Sequence, residues 1–181
     1  MSLAGCLYDH APSGPVRDVD SWLLGQWTTR DKSGHDFTAS VIPSTSDQYK
    51  IEFQSGGHEP MEFDAWISRV DGFSILVVKS LNPGETLGKF ALYHYELLSQ
   101  AKPPAGGIGA NRIRLSELRL DDSALTLDSF KLRAAIRSAL KLGTLLTPHN
   151  VVVDLKTNPG EIPGSIVWTK TGSVTLKGET F

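Results

Sequence analysis

From residue 22 to residue 120 the chain is a succession of short runs in which apolar and polar residues alternate. Turn chemistry interrupts these runs about every 10–15 residues, the spacing of an antiparallel meander. Each run has one apolar face, and strands joined by short turns can hide such faces only by pairing with their neighbours and curling together. Trp22 to Thr29 leads through Asp31-Lys32-Ser33-Gly34 into Phe37 to Val41. Gln48 to Gln54 sets Tyr49, Ile51 and Phe53 against Gln48, Lys50 and Glu52. After Ser55-Gly56-Gly57, the residues Met61, Phe63, Ala65 and Ile67 alternate with Glu62, Asp64, Trp66 and Ser68. Val70-Asp71-Gly72 turns into Phe73 to Val78. Phe90 to Leu98 follows, apolar on both faces, and Arg112 to Leu120 comes after a loop at Lys102 to Gly109 that is too rich in glycine and proline for a sheet.

The period then changes. Asp128 to Leu142 places Phe130, Ala134 or Ala135, Ile136, Ala139 and Leu140 at helical spacing, with Asp128 as N-cap and Gly143 as C-terminal stop. Asn150 to Leu155 and Ser165 to Leu176 return to strand patterning around an Asn158-Pro159-Gly160 turn. The expected fold is mainly β: an antiparallel meander closing into a barrel or strongly curved sheet, with one helix in the C-terminal half. Residues 21–181 form its single domain. Residues 1–20 precede it, and from residue 7 to about residue 17, with two prolines and a glycine, they read as a flexible spacer.

Gly25-Gln26-Trp27, entered through Asp20-Ser21-Trp22-Leu23-Leu24, resembles the opening Gly-x-Trp of lipocalins and the wider calycin group. A glycine lets the backbone bend tightly into a barrel, and the indole plugs the closed end while its N–H finds a partner. The order of elements, strands then helix then late strand, is similar to that group over most of the chain. The group's Thr-Asp-Tyr type triplet is absent, and no residue in the sequence stands out as the late basic residue that packs on the tryptophan. The resemblance implies that Trp27 is buried at the closed end with Gly25 making room. Trp66, alternating with Glu62, Asp64 and Ser68, is expected on the more polar face of its strand, where Trp66→Ala should be tolerated far better than Trp27→Ala unless that face lines the pocket.

Leu3-Ala4-Gly5-Cys6 resembles the lipobox of bacterial lipoproteins, after which signal peptidases cleave and whose cysteine is diacylated. Cys6 is the single cysteine, so no intrachain disulfide can form. The residues ahead of it read as the end of a leader, with Leu3 either native or part of a vector-derived start. The resemblance implies a membrane anchor on Cys6 and a place in the bacterial cell envelope. Leu7 after the cysteine points to the outer membrane, facing the periplasm, in a host that has one. The alternative is a cytoplasmic protein with an incidental cysteine.

Charge narrows the partners. A net charge of −2 gives no bulk attraction to nucleic acid. With 40% hydrophobic and 21% charged residues the body is ordinary globular material. No apolar run reaches the roughly 18 residues of a membrane-spanning helix. His10, His35, His58, His94 and His149 fit no compact metal motif, and one cysteine cannot build a thiolate zinc site. His94, between Tyr93 and Tyr95, has the one setting that could tune its protonation, but a structural role is expected. Neither a Gly-x-Ser-x-Gly elbow nor a phosphate-cradling loop occurs, and Gly106 to Gly109 precede a strand. No catalytic residue, metal site or cofactor is assigned. Arg133, Arg137 and Lys141 form a basic stripe at i, i+4, i+8, read as a solvated face. The function expected is binding of a small hydrophobic ligand or lipid inside the barrel. The alternative is an envelope interaction or structural protein whose barrel is filled by its own side chains.

Overall fold

Eight strands follow one another around a closed antiparallel barrel. They are β1 Gly25–Arg30, β2 Asp36–Pro43, β3 Tyr49–Ser55, β4 Met61–Val70, β5 Phe73–Ser80, β6 Phe90–Leu98, β7 Arg112–Glu117 and β8 Ser165–Gly172. The computed structural model describes residues 6–16, 19–20, 22–30, 34–55, 57–98, 112–145, 165–172, 175–176 and 179–180. The strand expected at Asn150 to Leu155, its following turn, the Lys102 to Gly109 loop and His149 lie outside these residues. Where the alternation places seven successive strands, the barrel has β1 to β7, and a single helix follows in the C-terminal half. Mainly β with antiparallel closure is therefore the fold class.

Closure comes from β8 pairing with β1, with Trp27 opposite Lys170 and Thr28 opposite Thr169. The register slips between Gln26 and Trp27, so Gln26 faces Gly172 and Thr171 is the extra residue of a bulge. Bulges bend and twist a strand, as closing a small barrel requires. The late strand is shorter than its pattern implies: it stops at Gly172, where β1 runs out, and Thr175–Leu176 (β9) pairs instead with Glu179–Thr180 (β10).

Alternation sorts the strand residues into two cores. Facing inward are Trp27, Phe37, Val41, Tyr49, Phe53, Phe63, Ala65, Ile67, Leu76, Ile113 and Trp168. Facing outward, and equally buried, are Trp66, Val70, Ile75, Val77 and Leu92. The outer set is covered by α1, Ser129–Leu142, through Leu132 and Ile136. Both faces of β6 are thus used, as its pattern demanded: Leu92 joins the outer core that includes Leu132 and Ile136 of α1, while Ala91 and Tyr93 face inward.

Local rules fix the helix. Asp128 accepts the Lys131 N–H at 2.9 Å, and Gly143 closes the other end at φ 70°, its N–H donating to the carbonyls of Ala139 and Leu140. Phe130 departs from expectation: it is 83% exposed. It lies six residues before Ile136, about 240° around the helix, so it cannot share that residue's face. Leu132 takes the buried position. The basic stripe is not merely solvated either. Arg137 Nε donates to Asp71 at 2.7 Å, tying α1 to the two-residue turn between β4 and β5. Asp71 and Gly72 sit at φ 48° and 83°, the left-handed pair of a tight hairpin turn. The Arg137 hydrogen bond holds the Asp71 carboxyl below its usual range.

The N-terminal segment departs furthest from expectation. Residues 6–16, which include most of the stretch expected to be a flexible spacer, are docked on the barrel. Tyr8 exchanges backbone hydrogen bonds with Phe90 at 2.8 and 2.9 Å and is fully buried. Its hydroxyl donates to the Leu118 carbonyl at 3.0 Å and accepts the Leu120 N–H at 3.2 Å. Lys89 pairs with Asp9, Ser13 bonds Ser68, and the Val16 N–H reaches the Ile67 carbonyl at 3.1 Å. An aromatic anchor with its polar groups satisfied outweighs the flexibility that proline and glycine suggest.

This strap also changes the reading of Trp66. The strand face judged polar is roofed by residues 6–16 and α1, so Trp66 is buried, meets Phe90 edge-on at 6.0 Å, and donates to the Ser13 carbonyl at 2.9 Å. Trp66→Ala should therefore destabilise by roughly 3–5 kcal/mol, the usual cost of truncating a buried tryptophan. Urea denaturation measures it; an unchanged midpoint would show that the strap does not bury this face in solution.

Candidate functional site

Inside the barrel the side chains do not fill the space: they leave a cavity of about 940 Å³ walled by Ile51, Phe63, Leu76, Val78, Leu115 and Trp168. The wall follows from strand geometry, since every second residue of each strand points inward and most of these are aliphatic or aromatic. Phe37 stacks on Phe53 at 5.8 Å, and Phe53 of β3 meets Trp168 of the non-adjacent β8 edge-on at 6.1 Å.

Trp27 forms the floor, buried at 2% exposure, and its indole N–H donates to the Leu23 carbonyl at 2.9 Å. Leu23 and Leu24 are buried beside it, and the Asp20 N–H donates to the Tyr49 hydroxyl at 2.6 Å, binding the entry segment to β3. Lys170, from β8, lies over the indole with Nζ 5.9 Å from the ring centroid. This is the late basic residue the sequence pattern did not disclose. Partial burial holds its ammonium below the usual lysine range, and the ring face meets the charge. Gly25 makes this possible: it sits at φ 127°, and a Cβ there would come within 2.5 Å of Lys170 Cε and 2.8 Å of the Gly172 carbonyl oxygen. Gly25, Trp27 and Lys170 are thus one unit, and the two motif residues marked in the sequence are brought together.

The mouth lies at the other end, among the 81–89 connection, the residues after β7 and the N-terminal strap. Cys6 is there, half-buried at the rim, with its backbone N–H donating to Glu117 at 2.7 Å. Burial, then the Glu117 carboxylate, raises the Cys6 thiol above its usual value. Glu117 also takes Arg119 at 2.8 Å. Lys89, the second cation of the lining, is paired with Asp9.

The histidines among the described residues do not line this cavity. His94 is on the outer face of β6, opposite Ser116 of β7, and stacks on Phe73 at 4.6 Å. Burial lowers its imidazole below the usual value, with Glu96 opposing. His94 Nδ1 and Ser116 Oγ are both buried without hydrogen-bond partners among the described residues, so the imidazole does not activate that hydroxyl. Among the described residues no three metal-ligating side chains gather.

The chain matches no protein-family model, no curated protein and no solved structure. What the site can do rests on its own geometry: one deep apolar chamber, one floor, one charged rim.

Trp27→Ala should remove the floor at a cost of about 3–5 kcal/mol, a large share of the roughly 5–15 kcal/mol that holds a domain folded. Chemical denaturation reports it, and a wild-type midpoint would show that Trp27 does not seal the barrel.

Proposed function

We propose that this protein binds a small hydrophobic molecule inside its barrel, as a carrier or receptor. The observation that supports it is the cavity of about 940 Å³ with its apolar wall. That volume is at the upper end of the range that encloses drug-sized ligands. A folding chain fills interior space when it can, because every unfilled contact loses dispersion energy. A large apolar void kept at one end of a sealed barrel is therefore better suited to a guest than to structural support. The reading of a filled barrel with an interaction role has less in its favour.

The envelope location is a second part of the proposal and depends on Cys6. Cys6 lines the mouth, so acyl chains attached there, as the lipobox resemblance implies, would set the opening against a bilayer. A ligand partitioned in the membrane would then enter without crossing water. In the full-length gene, Cys6→Ser is expected to move the protein from the membrane to the soluble fraction; unchanged fractionation removes the anchor but leaves the cavity.

Titration with the neutral fluorophore N-phenyl-1-naphthylamine tests the cavity itself. Saturable blue-shifted fluorescence with one site per chain is expected. Leu115→Trp, which fills the chamber from β7, should abolish it while circular dichroism stays that of the wild type. Fluorescence enhancement that Leu115→Trp leaves unchanged would place the probe elsewhere and overturn the reading.

A further inference from the structure

Ligand class can be read from how the cavity's few polar groups are disposed, given the binding role proposed above. Both cations of the described lining are already engaged by carboxylates. Arg119 is held by Glu117 at 2.8 Å and Lys89 by Asp9. The rim also carries Glu85 and Asp122, neither of which has a cation partner among the described residues. Four carboxylates thus stand around two cations that are already engaged. A carboxylate arriving at this mouth meets a net negative charge among the described residues, and inside it would lose its water with no unpaired cation of the described lining to replace it.

One polar group in the wall is differently placed. Tyr93 is on the inner face of β6, lines the cavity, and stands directly across from Glu117 in the β6–β7 register. Its hydroxyl has no hydrogen-bond partner among the described residues, whereas those of Tyr8 and Tyr49 are bonded. Burial, then the neighbouring Glu117 charge, pushes the phenol above its usual value, so it remains a neutral O–H at physiological pH. A phenol facing an apolar chamber can donate to a carbonyl, ether or hydroxyl oxygen and can accept from a hydroxyl. A ligand oxygen placed at that hydroxyl gains a hydrogen bond inside an otherwise apolar wall.

We infer that the cavity selects a neutral amphiphile, an apolar chain with one uncharged oxygen-bearing head such as a fatty alcohol or ester, and discriminates against the corresponding carboxylate. Tyr93 receives the head, and the rim carboxylates exclude the anion.

Displacement of N-phenyl-1-naphthylamine at pH 8 by decanol, decanoate and decane tests this. Decanol is expected to compete at a concentration at least about ten-fold below decanoate, as one more negative charge beside unpaired carboxylates implies. Tyr93→Phe should weaken decanol by about three- to ten-fold, the loss of one neutral hydrogen bond, and leave decane unaffected. The double variant Glu85→Gln, Asp122→Asn alters only exposed rim side chains and should improve decanoate while decanol stays as in the wild type. Decanoate binding as tightly as decanol would overturn the selectivity and leave the cavity reading intact. An unaltered decanol affinity in Tyr93→Phe would remove Tyr93 as the anchor. Failure of the wild type to bind the fluorophore would instead sink the underlying reading.

Discussion

The structure depends on how its sheet is closed. Lys170 crosses from the last barrel strand to lie over Trp27 of the first, and it can do so because Gly25 has no side chain in the way. This contact stands at the β1–β8 seam, where the two ends of the sheet meet. Without the seam, β1 and β8 would be free edges, and exposed edges pair with other chains. Without the indole, the chamber would be open at both ends. Sealing one end therefore creates both the fold's closure and the cavity.

The molecule spends its packing unevenly. Outside the barrel, Trp66, Ile75, Val77 and Leu92 are tightly covered by α1 and the N-terminal strap, with polar groups such as the Trp66 N–H and the Tyr8 hydroxyl satisfied. Inside, the residues around Ile51, Val78 and Leu115 leave space. The outer core supplies stability that the hollow inner one forgoes. The strap links the two. It packs on the outer core through Tyr8 and reaches the rim through Cys6 and Asp9, so the region that stabilises the wall also shapes the mouth.

Much of this was legible in the sequence where the physics is local. Alternation along Tyr49, Ile51 and Phe53 gives a strand with one apolar face, and Asp128 and Gly143 delimit a helix through their own backbone chemistry. Gly25 and Trp27 could be marked because they stand only two residues apart. Lys170 could not, since its role arises from a partner more than 140 residues away, and a lysine in a late strand otherwise looks solvated. The strap escaped notice for a similar reason: Pro12, Gly14 and Pro15 signal a loop, and nothing local shows that Tyr8 and Ser13 find partners on distant strands. Trp66 was misjudged because alternation identifies two faces but not what covers the second. The cavity was expected from the resemblance to a ligand-binding barrel, but whether inward side chains meet or leave a void depends on barrel radius, which periodicity does not contain.

Xenon titration followed by methyl NMR tests the hollow barrel most directly, because xenon enters dry apolar voids regardless of ligand chemistry. The methyl signals of Ile51, Leu76, Val78 and Leu115, which line the chamber, should shift together along one saturation curve. Those of Val77 and Ile136, in the outer core, should stay in place. Uniformly unmoved methyls at the first four positions would mean that the barrel is filled in solution and would contradict the account.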